Sequence, residues 1–169
     1  MDGLDDRLWN TDVNPQTYTD AEEGYRAAVL DQYRTCVEMA DRVSGRRSLT
    51  NTFFLSLNSA VVAAVVAVAG NSSQEVPLLL LLAGLVVLWA QCLTWFVMVR
   101  SYRQLNTAKF AVIGALERRL PALAYSDAEW FALGEGRDWR KYLPLTRVEQ
   151  GVPLIFGAAY LLVFLSFAL

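Results

Sequence analysis

Three stretches of this chain contain no Asp, Glu, Lys or Arg: 49–69 (LTNTFFLSLNSAVVAAVVAVA, 21 residues), 76–99 (VPLLLLLAGLVVLWAQCLTWFVMV, 24 residues) and 152–169 (VPLIFGAAYLLVFLSFAL, 18 residues). A helix needs roughly 20 apolar residues, at about 1.5 Å each, to cross about 30 Å of hydrocarbon. The first two stretches exceed that length and the third lies at its short end. They absorb so much of the 54% apolar content of a 169-residue chain that little remains for a large soluble core. No alternating strand pattern competes with them. The expected fold class is all-α: an integral membrane protein with three transmembrane helices and a cytoplasmic helical hairpin.

Several chemistries are excluded by what is missing. There is no histidine, which removes Ser-His-Asp and Cys-His catalysis, histidine metal ligands and a histidine base. The two cysteines, Cys36 and Cys92, are too far apart for a zinc or iron–sulfur spacing and are expected to pack as small apolar residues. A net charge of −2 gives no global basic field. The start, MDGLDDRLWN, lacks the basic-then-apolar profile of a secretory signal. No cofactor, no metal and no enzymatic activity are expected.

Charge sets the expected orientation. Residues 1–48 carry six arginines, the 70–75 turn carries no basic residue, and 100–151 carries nine. The protein is therefore placed in the cell inner (plasma) membrane, N-terminus cytoplasmic and C-terminus outside. The expected organisation is an acidic arm (1–18), a cytoplasmic helix (19–48), a first span (49–69), a second span (76–99) and its cytoplasmic extension (100–120). A short helix with an aromatic and basic loop (121–151) and a third span (152–169) complete it.

Local signals fill this frame. Thr19-Asp-Ala-Glu22, Ser126-Asp-Ala-Glu129 and Thr146-Arg-Val-Glu149 each have the spacing of a capping box. Val29, Tyr33, Cys36, Ala40 and Val43 form a seam, opposite Asp31, Arg34, Glu38, Asp41 and Arg42. Gly45 suggests a bend before the first span. With Pro77 at its first turn, one helix of about 44 residues is expected up to Pro121, carrying a stripe of Tyr102, Leu105, Lys109, Val112, Ile113, Leu116 and Leu120.

The first span also holds polar residues. Asn51 and Asn58 fall within about 20° of each other on a helical wheel, and Thr52, Ser56 and Ser59 cover an adjoining arc. Such an arc in lipid must face other helices or water. Two readings stand: hydrogen bonding between helices, or the lining of a water-filled conduit, with Gln91 on the second span as a further candidate. Arg42, Arg46, Arg47, Arg100 and Arg103 would meet at one height in an antiparallel hairpin, serving either lipid headgroups or a phosphate-bearing ligand. Arg137, Trp139, Arg140 and Lys141, with Tyr142, suit either an interfacial belt or a stacking site for a nucleotide. Gly134-Glu-Gly136 is no phosphate cradle, because neither a strand before it nor a GK[ST] after it is present. Glu75 and Glu149 would form carboxylate rings in an oligomer, unless Glu149 serves only its capping box.

From YRTCVEMADRVSGRRSLTNTFFLSLNSAVV through the second span, and more weakly into WFALGEGRDWRKYLPLTRVEQGVP, the chain resembles the SLATT-type small membrane effectors of nucleotide-triggered bacterial antiphage defence, the group that includes the Hailong membrane effector. Many such proteins have two spans, and the third span here departs from that pattern. The resemblance implies an oligomeric membrane pore or ion channel, a tetramer among the counts it would allow. Its implied partners are the lipid bilayer, further copies of itself, and a nucleotide or single-stranded oligonucleotide made by a partner nucleotidyltransferase. The alternative is a non-conducting membrane adaptor that recruits a soluble partner through the cytoplasmic hairpin.

Overall fold

No proline interrupts the chain between Pro15 and Pro77, and within that interval helix-compatible residues form one helix over Glu23–Asn71. The computed structural model describes residues 4–10, 12–18, 22–71, 77–137, 140 and 145–168. Helix α1 (Leu4–Leu8) and a 3-10 turn (Pro15–Thr17) precede the long α2 (Glu23–Asn71, 49 residues). Helix α3 (Leu78–Glu117, 40 residues) follows, then a π-helical segment (Ala124–Glu129) running into α4 (Trp130–Ala132), a 3-10 turn (Gly134–Gly136) and α5 (Leu145–Ala168). All regular structure among the described residues is helical.

Four boundaries differ from the sequence expectation. The acidic arm is partly helical rather than irregular. Gly45 does not interrupt α2, since a helix of about 74 Å with packed residues on both sides of one glycine absorbs its cost of about 1 kcal/mol. Helix α3 ends three residues before Leu120, because Pro121 disfavours helical backbone in the residue before it and Arg119 and Leu120 close tight turns onto Leu116 and Glu117. Helix α5 begins at Leu145, so Thr146 lies inside it instead of capping it, and Pro153 sits fully buried within it.

The chain divides into two units: Met1–Ser44 with Gln104–Leu143, and Gly45–Arg103 with Pro144–Leu169. We call them the charged unit and the apolar unit. In the apolar unit Phe54, Trp95 and Val99 form a buried cluster, with Met98, Val152 and Phe156 packed against it. Phe54 stacks on Trp95 (centroids 5.7 Å), Trp95 meets Phe156 (6.1 Å), and Phe156 meets Tyr160 (6.2 Å). Large apolar side chains cover the outside, with Leu79 80%, Leu49 75% and Ile155 69% exposed. That surface is a liability in water and ordinary in lipid. Three helices, Glu23–Ala67, Leu78–Glu117 and Val148–Phe167, are long and apolar enough to cross a membrane.

Among the described residues of this unit the one fully buried polar side chain is Asn58. Its Nδ2 donates to the Phe54 carbonyl (2.7 Å), and its Oδ1 accepts from the Tyr160 hydroxyl (2.7 Å) and, more weakly, from the Cys92 thiol (3.8 Å). Asn58→Leu leaves the Tyr160 hydroxyl only the longer bond to the backbone carbonyl of residue 58 (3.4 Å) and is expected to lower stability by about 1 kcal/mol. Adding Tyr160→Phe removes that hydroxyl, so the double variant should regain part of that loss in thermal melts of the solubilised protein.

Candidate functional site

The polar residues of the first span separate into two sets. Asn51 and Asn58 turn inward: Asn51 Oδ1 accepts from Trp95 Nε1 (2.9 Å), and Asn58 is held as above. Thr52 and Ser59 lie about 100° round the helix, Ser56 about 150°, and all three stay exposed. The Thr52 hydroxyl donates to its own backbone at Ser48 (3.0 Å). Ser56 and Ser59 make no hydrogen bond among the described residues. Gln91 is half-buried, and its amide nitrogen has no partner among the described residues. Cys92 is buried and Cys36 half-buried, both free, as small packing residues are.

The five arginines of the hairpin are not equivalent. Arg47 is largely covered and lies 3.5 Å from Glu149, at the start of α5. Beside it Arg103 donates to Gln150 (3.4 Å). Helices α2, α3 and α5 thus meet in one polar band of the apolar unit. The band removes Glu149 from any free carboxylate ring. Arg46 and Arg100, in the same unit, are exposed and form no ion pair among the described residues. Arg42 belongs to the charged unit and pairs with Glu38 one turn earlier (2.6 Å), an exposed pair of little energetic weight. Arg137 is paired with Glu135 (3.0 Å) and highly exposed. Arg140 is exposed and interacts within the chain. Trp139, Lys141, Thr19 and Glu75 lie outside the described residues.

The charged unit is organised by a residue that the sequence reading passed over. Glu117, the last residue of α3, has no exposed surface. Its carboxylate accepts from Tyr33 Oη (3.0 Å), Tyr125 N (3.0 Å), Ser126 N (2.8 Å) and Ser126 Oγ (2.6 Å). The π-helical segment is therefore capped by an acid from the preceding helix, and Ser126 spends its hydroxyl on Glu117 rather than on a capping box of its own. Burial alone would raise the Glu117 carboxyl, but the bonds from Ser126, Tyr125 and Tyr33 together hold it below its ordinary value of 4.5. Burial, then the bond to Glu117, pushes Tyr33 from 10.0 up to about 12. A signal for Glu117 existed: it falls four positions after Ile113, on the same apolar stripe. On that stripe Leu105 is exposed instead, and Asn106 takes the covered position, donating to Ser44 Oγ (3.3 Å).

The seam at Val29, Tyr33, Cys36, Ala40 and Val43 is buried or half-buried, as expected of a face that meets another helix. The N-terminal arm fastens the end of α3. Arg118 Nη2 donates to both oxygens of Asp5 (2.8 and 2.9 Å), Arg119 lies 3.4 Å over the Trp9 ring, and Arg119 also donates to Tyr25 Oη (2.6 Å). After α4, Gly134, Glu135 and Gly136 all take left-handed backbone (φ 69, 54 and 70), which two glycines make accessible.

A family model described as the octameric membrane protein family (8xMP) matches residues 30–169. The chain belongs to this family. An 8xMP protein is a membrane protein of an octameric family, which agrees with three helices long and apolar enough to cross a membrane. The chain matches no curated protein and no solved structure.

Glu117→Gln keeps the shape but turns one acceptor into a donor facing Ser126 or Tyr125, and is expected to destabilise the charged unit by about 2–4 kcal/mol. Because the folded Glu117 carboxyl lies below 4.5, its contribution is complete above that pH and is lost as pH falls below it. Tyr33 has the opposite sign: its contribution is complete below about pH 10 and disappears as pH rises toward about 12. Thermal melts against pH, in wild type and Tyr33→Phe, should show the alkaline loss only in the former.

Proposed function

We propose that eight copies of this chain form a membrane pore whose opening is controlled on its cytoplasmic face by a nucleotide or oligonucleotide. Its role is that of an effector of bacterial antiphage defence, as the resemblance to SLATT-type proteins implies. The observation that carries the pore is the pair of unbonded hydroxyls on α2. Ser56 and Ser59 sit at lipid depth, exposed, with no partner among the described residues. Polar groups at that depth face bundle interiors or water-filled cavities. A ring built on this face would place a band of neutral hydroxyls, with Thr52, along a shared axis, and ion pathways use such linings. An octamer is preferred to a tetramer because the family is described as octameric.

Orientation in this reading follows the arginines, with residues 1–48 and 100–151 inside the cell. Arg46 and Arg100 are the best-placed contacts for a phosphate-bearing signal, since Arg47 is occupied by Glu149. The protein works without catalysis in this scheme, and the signal comes from a separate nucleotidyltransferase. A second reading, the non-conducting adaptor, draws support from apolar side chains left exposed on the charged unit, among them Leu30, Met39 and Leu105.

Ion flux from liposomes containing the purified protein, over a panel of nucleotides and short oligonucleotides, separates the two. Replacing Ser56 and Ser59 together with leucine should reduce flux at least about threefold at unchanged helicity. Unchanged flux would move the conduit to another helix, and silence across the panel from confirmed octamers would leave the adaptor. Arg46→Gln with Arg100→Gln should weaken the response to the signal while preserving any basal flux.

A further inference from the structure

The charged unit contains a cavity of about 570 Å³ between α3 and the 124–133 segment. Ligand sites in proteins commonly fall in this size range. Its walls include Phe110, Tyr125 and Trp130, its polar groups Ser126, Arg118 and Glu129, and its floor Gly114. We propose that this cavity binds an organic ammonium cation, with Glu129 as the counter-charge and the aromatic side chains as the walls.

Three observations support a built site. The segment is anchored at both ends: Ser126 and Tyr125 are bonded to the buried Glu117, and Trp130 packs against Gly136, where an added Cβ would lie 3.0 Å from the indole. Anchored aromatics that remain 40% (Tyr125) and 47% (Trp130) exposed form a wall prepared in advance of any ligand. The wall is made of backbone that is uncommon elsewhere. Residues Ala124–Glu129 are π-helical, and just beyond the wall Glu135 is a non-glycine residue at φ 54. Both kinds of irregularity concentrate at functional sites. At the floor, Gly114 lets Ser126 approach so closely that a Cβ would meet it at 3.1 Å.

Charge selects the ligand. Arg118 is engaged by both oxygens of Asp5, whereas Glu129 has no ion pair among the described residues. The uncompensated charge is negative, with the Glu117 carboxylate directly behind Ser126. A phosphate would be repelled there. An ammonium group gains from both the carboxylate and nearby aromatic rings. The site is thus separate from the arginines assigned to an anionic signal, and it stands or falls without them.

Calorimetric titration of the full-length protein in phosphatidylcholine nanodiscs, at matched ionic strength, tests this with choline and spermidine as probes and adenosine monophosphate as the anionic aromatic comparison. Both cations are expected to bind. Glu129→Gln, a change at an exposed position, should raise their Kd about three- to fivefold, and Trp130→Ala should raise it several-fold while Trp130→Phe does so less. Arg118→Gln should leave Kd within about twofold, because its charge is not the one recognised. Failure of both cations to bind, or equal affinity in Glu129→Gln, overturns the proposal. Binding of adenosine monophosphate that is lost in Arg118→Gln but not in Glu129→Gln also overturns it, and would make the cavity a nucleotide site.

Discussion

Inside hydrocarbon a side-chain amide must find its hydrogen bonds within the protein, and Asn58 shows how this chain meets that demand. Its carbonyl oxygen takes the Tyr160 hydroxyl from α5 and faces the Cys92 thiol from α3, while its amino group returns to its own helix at Phe54. One residue thus joins the three helices of the apolar unit at their centre. Asn51 repeats the device two turns away through Trp95. The aromatic ladder from Phe54 to Tyr160 then fills the space between these polar ties. Apolar packing alone gives little reason for one arrangement of such helices over another, because lipid is as apolar as leucine. The asparagines supply that reason. Having used them inside the protomer, the first span has only hydroxyls left to offer outward.

The polar band where α2, α3 and α5 meet follows a different logic. Arg47 and Glu149 are both about four-fifths covered, yet Arg47 Nε and Glu149 Oε2 lack hydrogen-bond geometry with any partner among the described residues. Desolvating two charges for a contact of 3.5 Å gains little net stability. What it fixes is register: it ties the first turn of α5 to α2 while Gln150 takes Arg103. Pro153, four residues on, cannot donate to the Glu149 carbonyl, so this end of α5 depends on side-chain contacts more than an ordinary helix start does. Charged and amide groups in this setting suit headgroup depth, where water still reaches one side of the band.

The long helices were legible from the sequence because uncharged length is a strong signal that needs no tertiary information. The seam from Val29 to Val43 was legible for the same reason, since its spacing is local. Three features were not. Asn51 and Asn58 share a helical arc with no mark of whether protein or water covers them, and only Trp95 and Tyr160, 44 and 102 residues away, settle that. Glu117 resembles one more charge beside Arg118 and Arg119 until Tyr33 and Ser126 are brought to it from both sides in the sequence. The Ser126 capping box failed because the cap arrives from another helix. Capping boxes are read from four consecutive residues, and that local pattern cannot register a carboxylate nine positions upstream.

The two units therefore solve the same problem with opposite chemistry. In the apolar unit the oxygens of Asn51 and Asn58 are satisfied by neutral donors, which avoids placing a net charge at lipid depth. In the charged unit a full carboxylate is buried, and its four donors come from a tyrosine hydroxyl, a serine hydroxyl and two backbone amides, with no cation among them. A carboxylate held only by neutral dipoles keeps its negative charge directed at the segment that supplies those dipoles. Residues 124–133 are positioned by that charge, and so is the aromatic cavity they close over α3. Ser126 is therefore both a wall of that cavity and a hydrogen-bond partner of Glu117, the last residue of α3.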